Sequence, residues 1–179
     1  LHAIRDAGKP LFRLYYIYDI GKVNDRRFGI LASYLSYLGT SSRTAIEMHQ
    51  AFFRIGVNFS ATCQDERLFL TLTGLEESFE EAVALMESLL CDAQPDAEAL
   101  KNLIADVLLQ RDNDKLDKRI ILTTALAQYA KYGKRSPFSD KMPKERLLTL
   151  QTDELHDLLR HLQHIEHEVF YHGPRTLRN

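Results

Sequence analysis

The sequence predicts an α+β fold, in which a mainly antiparallel sheet carries helices packed on one face. Three observations lead to this prediction. Residues 57–73 alternate apolar and polar side chains, the pattern of a β-hairpin with one buried face. Apolar and aromatic runs near the two ends, residues 11–18 and 165–171, are typical of strands. Helical periodicity fills most of the remaining chain, and helices that outnumber the strands favour a two-layer arrangement.

In the first half of the chain, residues 1–10 are expected to be a linker or an incomplete first strand before strand 11–18. Apolar residues at three- and four-residue steps predict a helix over 25–38, stopped by Gly39. A second helix follows, with Ser41 or Ser42 as its predicted N-cap.

In the second half, Ser78 and Glu81 have capping-box spacing and predict another helix start. Pro95 and Asp96 are expected to open a helix, which the polar stretch 111–118 breaks or bends before a further helix over 120–132. Residues 133–143 are predicted to be a loop, and Thr152 to cap a last helix before strand 165–171.

Composition indicates one ordinary globular domain over residues 1–179, with 45% hydrophobic and 27% charged residues. The formal net charge of −2 gives no electrostatic case for nucleic acid or an anionic membrane as a partner. No apolar run approaches the length of a transmembrane segment. Cys63 and Cys91 lack metal-site spacing and are expected to be small buried side chains. We expect the chain to be a piece of a larger protein, and its compartment, cell envelope, periplasm or cytoplasm, stays open.

One predicted helix carries a recognisable pattern. Residues 30–40, ILASYLSYLGT, resemble the zinc helix of the pitrilysin/insulysin metallopeptidases, which runs roughly H-F-L-E-H-M-L-F-L-G-T and begins with the inverted motif H-x-x-E-H. Leu35, Leu38, Gly39 and Thr40 match that framework. In the family, one helical turn aligns the two histidine ligands, and the glutamate is the general base.

The zinc chemistry implied by this resemblance is missing from the motif. Ile30 and Tyr34 occupy the two histidine positions, and Ser33 occupies the position of the base. The family's third ligand would fall near Ala105 and Asp106, where one Asp cannot rebuild a site. We therefore expect no catalytic residue, zinc or other cofactor in this domain, and zinc in the parent protein.

The resemblance extends along most of the chain through residues 18–25, 74–90 and 169–174. It implies a processing-peptidase-like half-domain, inactive by itself, in a multidomain zinc protease. We expect it to help form a chamber around unfolded peptide or a small protein substrate, with other domains of the same chain as partners. In the family, a later domain contributes an Arg and a Tyr that contact the substrate, within an L-R-x-x-x-x-x-G-x-Y segment. This chain lacks that segment, which favours the third of four domains, before the one that holds the pair. The alternative is a structural or binding subunit of the superfamily with no active zinc site.

The remaining candidates are one helix face and two short motifs. Ile30, Tyr34 and Tyr37 share a face that either packs within the core or lines a chamber or domain interface. Residues 163–167, QHIEH, come one residue short of the inverted zinc motif, but they lead into a strand, where residues four apart do not share a face. Residues 112–114 resemble a calcium loop without its Gly and distal Glu, which favours a polar turn.

Overall fold

The computed structural model describes residues 2–133 and 141–176. The chain forms two compact units, Leu1–Asp96 with Asp153–Asn179, and Ala97–Thr152. Within the described residues no helix is long and apolar enough to cross a bilayer. The first unit contains the sheet with its associated helices, and the second is helical.

The elements of the first unit follow the predicted order, with one additional strand at the start. In chain order they are β1 (His2–Arg5), β2 (Leu11–Tyr18), α1 (Arg27–Leu35), α2 (Ala45–Arg54), β3 (Asn58–Cys63), β4 (Leu68–Leu75), α3 (Phe79–Asp92), α8 (Thr152–Leu162) and β5 (Glu168–Gly173).

The strands form one sheet in the order β1-β5-β2-β4-β3. β1 pairs parallel to β5, whereas the other three pairings are antiparallel. The sheet is therefore mixed but mainly antiparallel, as predicted. The first ten residues contribute β1, so they are more than a linker.

One face of the sheet forms the core. Leu14 of β2 lies beside Leu72 of β4 on one side and Tyr171 of β5 on the other. All three side chains are buried, as period-two alternation requires for one face. Phe79 of α3 packs edge-on against the ring of Tyr171, with centroids 5.5 Å apart. The prediction of helices on one sheet face is confirmed.

The second unit consists of α4 (Ala97–Leu116), α5 (Lys118–Ile120), a π-helical stretch over 121–125, α6 (Leu126–Tyr132) and α7 (Lys144–Leu148). The predicted interruption within residues 111–118 falls near the end of that stretch, because α4 runs on to Leu116, and residues 112–114 are helical rather than the expected polar turn. Lys115 donates to Asp112 at 2.7 Å, one turn earlier, which supports the helix. The helix is interrupted at Asp117, whose carboxylate accepts hydrogen bonds from the N–H groups of Arg119 and Ile120.

Two predicted helix caps are wrong because other hydrogen bonds form in their place. Thr44, rather than Ser41 or Ser42, caps α2 through a reciprocal capping box with Glu47. Ser78 makes no cap bond for α3. Its hydroxyl donates instead to the carbonyl of Ile55 at 2.7 Å.

Other boundaries differ by a few residues. α1 ends at Leu35 rather than 38, because the N–H of Tyr37 bonds to the carbonyl of Tyr34 in a tight turn. β5 begins three residues later than the predicted strand and extends to Gly173. α7 was not predicted, and most of the predicted loop 133–143 lies outside the described residues.

Candidate peptide-binding edge

The three positions that match the ligands and the base of the resembled zinc motif lie on α1 in different surroundings. Ile30 is 7% exposed and Tyr34 is 2% exposed, so both are buried. Ser33 is exposed, and its hydroxyl donates to the carbonyl of Gly29 at 3.3 Å. The positions that correspond to metal ligands in the resembled motif therefore hold packed side chains.

The Tyr34 hydroxyl binds the backbone of Asp96, the residue that precedes α4. It donates to the Asp96 carbonyl at 2.7 Å and accepts from the Asp96 N–H at 2.8 Å. Burial raises the pKa of the hydroxyl above its ordinary value, mainly because the phenolate would lose its hydration. Tyr34 thus joins α1 to the end of the α3–α4 connection.

Tyr37 differs from the other two members of the predicted face. Its side chain is 46% exposed, on the turn that follows α1. Ile30 and Tyr34 pack inside the chain, so only Tyr37 presents substantial surface to a partner.

The other candidate metal ligands do not assemble into a site within the described residues. Ala105 and Asp106 are exposed on α4. No group of three or more His, Cys, Asp or Glu side chains in the described part of the chain is arranged to hold a metal ion. In the QHIEH segment, the His167 ring stacks on Tyr16 and Tyr18, with centroids 5.1 and 4.8 Å away.

Strand β3 forms one edge of the described sheet, because its only strand neighbour is β4. The hairpin closes with the N–H of Gln64 donating to the carbonyl of Arg67 at 2.7 Å. Bonded positions alternate along an antiparallel strand, so Ser60 and Thr62 direct their backbone groups to β4. The backbone N–H and C=O groups of Phe59 and Ala61 therefore point away from the sheet.

A groove of about 220 Å³, lined mainly by apolar residues, lies beside this edge in the first unit. Phe52 and Phe59 both line it, and their rings stack with centroids 5.6 Å apart. Phe53, 85% exposed, stands among the lining residues. The ring of His49 bonds to the carbonyl of Ser36 at 2.7 Å. The remaining lining residues are Leu35, Leu38, Met48, Val57, Asn58 and Leu89.

Sequence reasoning identified β3 but missed this groove. A sequence signal was available in α2, where the adjacent Phe52 and Phe53 lie about 100° apart around the helix, so that one of them can face away from the core. The cysteine expectation was also only half right. Cys63 at the end of β3 is buried, and burial raises the pKa of its thiol, whereas Cys91 is exposed.

An edge strand next to an apolar groove is suited to bind an extended peptide. The outward-facing backbone groups of the edge can pair with the peptide main chain, and alternate peptide side chains then project towards one sheet face. Phe59 and Ala61 lie at the register of Leu72 and Leu70, which are buried on the helix-covered face. Side chains of a peptide on that face would meet the groove.

Comparison with known proteins gives matches in structure but not in sequence. No family model and no curated protein matches the chain. The fold is similar to a peptidase M16 inactive domain from Pseudomonas fluorescens, with a TM-score of 0.76 at 14% identity over 97% of this chain and 44% of that one.

Two larger proteases are also similar. The periplasmic protease PqqL from Escherichia coli gives a TM-score of 0.72 at 11% identity, over 94% of this chain and 19% of that one. The ferredoxin protease FusC, solved in complex with Arabidopsis ferredoxin, gives 0.74 at 11% identity, over 97% and 20%. This chain spans less than half the length of each of these three proteins. These similarities show that the chain has the α+β fold seen in peptidase M16 inactive domains.

Proposed function

We propose that this chain is a non-catalytic domain of a zinc metallopeptidase, which holds extended peptide while zinc elsewhere in the parent protein supports hydrolysis. The observation that carries the proposal is the state of α1. A protease of the resembled type needs two histidines and a carboxylate there, to bind zinc and to take a proton from its water. This chain instead has buried Ile30, exposed Ser33, and a Tyr34 bonded to the backbone of Asp96.

The β3 edge supports the peptide-holding part of the proposal. Main-chain pairing with the outward-facing groups of Phe59 and Ala61 would be independent of peptide sequence. The groove would add a preference for an apolar side chain. Enclosure of the substrate within a chamber formed with other domains is proposed from the resemblance of the sequence to the pitrilysin/insulysin metallopeptidases and from the similarity in fold to two larger proteases.

Two experiments test this function. First, unstructured peptides are incubated with the 179-residue chain, with and without a zinc chelator, and we expect no cleavage in either case. Chelator-sensitive cleavage would contradict the absence of a catalytic centre. The same assay on the full-length parent separates a domain of an active metallopeptidase from the alternative, a structural or binding subunit with no active zinc site. An inactive parent would favour the alternative.

Second, peptide binding is measured for Ala61→Pro and for the matched control Ala61→Val. Proline removes an N–H that points away from β4, and edge strands tolerate it at such a position. We expect Ala61→Pro to weaken binding about 3- to 10-fold, because the hydrogen bond from the Ala61 N–H to the peptide is lost and the adjacent main-chain bond is disturbed. Ala61→Val keeps the N–H and should bind like the wild type. Equal affinities for all three proteins would show that β3 is not the binding edge.

A further inference from the structure

The helical segment Lys118–Tyr132, which we call the cationic helix, exposes an unusual number of apolar side chains. It comprises α5, the π-helical stretch and α6 in the second unit. Leu122, Leu126 and Tyr129 are 63%, 56% and 53% exposed and recur at helical steps of four and three. Ile121 and Tyr132 are also exposed. A contiguous apolar surface of this kind marks an interaction site.

The same segment is positively charged. It contains Lys118, Arg119 and Lys131, and residues 118–133 include no Asp or Glu. The net charge of the whole chain is −2, so this excess of cations is a local feature that the average conceals. Asp117 adjoins the segment, and its carboxylate accepts hydrogen bonds from two backbone N–H groups, so it offsets one of the two cations at that end and leaves the segment with a net positive charge.

Acidic side chains at the end of the preceding helix already have partners. Asp112 pairs with Lys115 at 2.7 Å, and Asp114 pairs with Lys141 at 3.7 Å. Neither carboxylate therefore offsets the charge of the cationic helix without giving up an existing ion pair. The surface is left with an apolar stripe and cations near both ends.

We propose that the cationic helix binds an anionic polypeptide segment with apolar side chains. This proposal rests on the proposed peptide-holding function. Apolar side chains of the partner cover the stripe, and its carboxylates pair with Lys118 and Arg119 at one end and Lys131 at the other. Three basic residues fall short of the clusters of about four to eight that mark binding to anionic lipid. A polypeptide is therefore the favoured partner.

The spacing of the cations defines the partner further. Lys118 and Lys131 are separated by 13 residues of helix, or about 20 Å along its axis. An extended peptide covers that distance in about six residues. The best ligand thus carries acidic residues about six positions apart, on either side of an apolar core.

The test uses three fluorescent 12-residue peptides with the same apolar core, flanked by Glu, Gln or Lys on both sides. Their affinities for the 179-residue chain are measured by anisotropy at about 50 mM salt, where surface charges are weakly screened. We expect the Glu peptide to bind about tenfold more tightly than the Gln peptide, and the Lys peptide to bind most weakly. The preference should shrink as salt increases.

Substitutions then locate the surface. The double variant Lys118→Gln with Arg119→Gln should lose most of the preference for Glu, whereas Leu126→Asn should weaken every peptide about tenfold. The matched controls, Lys101→Gln and Ile46→Asn, change exposed residues elsewhere and should bind like the wild type. Circular dichroism verifies that each variant is folded.

Equal binding of the three peptides, or a Glu preference that survives the double variant, would overturn this inference and leave the proposed function standing. No binding of any peptide would overturn both. Phosphatidylglycerol vesicles serve as a separate arm. Vesicle binding that both cationic-helix variants abolish, without any charge preference among the peptides, would assign the surface to lipid and also overturn the inference.

Discussion

Removal of the Tyr34 hydroxyl is the sharpest test of how α1 is held in this fold. In Tyr34→Phe the ring and nearly all of the buried volume remain, so packing changes little. The variant loses two hydrogen bonds, to the carbonyl of Asp96 at 2.7 Å and from its N–H at 2.8 Å. A net contribution of about 0.5–1.5 kcal/mol per bond gives a destabilisation of about 1–3 kcal/mol.

The measurement is urea denaturation followed by far-UV circular dichroism, with thermal unfolding as a second readout. For a chain of this size, the melting temperature should fall by about 2–4 °C for each kcal/mol lost. Tyr37→Phe is the matched control, because it removes the same hydroxyl from a side chain that is 46% exposed. It should change stability by less than about 0.5 kcal/mol.

The pH dependence of the Tyr34→Phe effect gives an independent readout. The folded protein raises the pKa of Tyr34 above the ordinary 10.0, so it favours the neutral hydroxyl. The stability from this group is complete below pH 10 and is lost as pH rises through the raised pKa. The stability difference between wild type and variant should therefore shrink above pH 10. If Tyr34→Phe costs no more than Tyr37→Phe at neutral pH, the two bonds do not stabilise the fold.

Two further predictions concern the segment that resembles the zinc helix. The triple variant Ile30→His, Ser33→Glu and Tyr34→His introduces the residues of the H-x-x-E-H motif. Because two of these positions are buried, we expect the variant to lose about 3–5 kcal/mol of stability and to retain no zinc. Stoichiometric zinc after dialysis, measured by elemental analysis, would contradict this expectation. Gly39→Ala should destabilise the protein by about 2–4 kcal/mol, because an added Cβ would overlap the backbone four and five residues further on. Denaturation indistinguishable from that of the wild type would show that this turn relaxes easily.

The sequence by itself determined the fold class and the main strands. Alternation in residues 57–73 specified the β3–β4 hairpin, because a strand with one buried face needs period-two patterning. The run Leu11–Tyr18 became β2 with the predicted boundaries. These are local signals, which depend on neighbours within one element and so are legible without the rest of the chain.

Helix ends and caps depended on the tertiary structure. Ser78 has good capping spacing, but the carbonyl of Ile55, 23 residues earlier, lies within reach of its hydroxyl. β1 also needed a distant partner, since its four residues are a strand only beside β5 at the other end of the chain. A short segment carries too little pattern to specify pairing over such a separation.

The candidate sites divide in the same way. The sequence alone shows that positions 30, 33 and 34 lack the His and Glu residues found there in the resembled zinc motif. Only the structure decided that Ile30 and Tyr34 are buried, with the Tyr34 hydroxyl on Asp96. The groove beside β3 could not be predicted, because its walls come from α1, α2, α3 and β3. A cavity is a property of how elements pack, and no single element's periodicity records it.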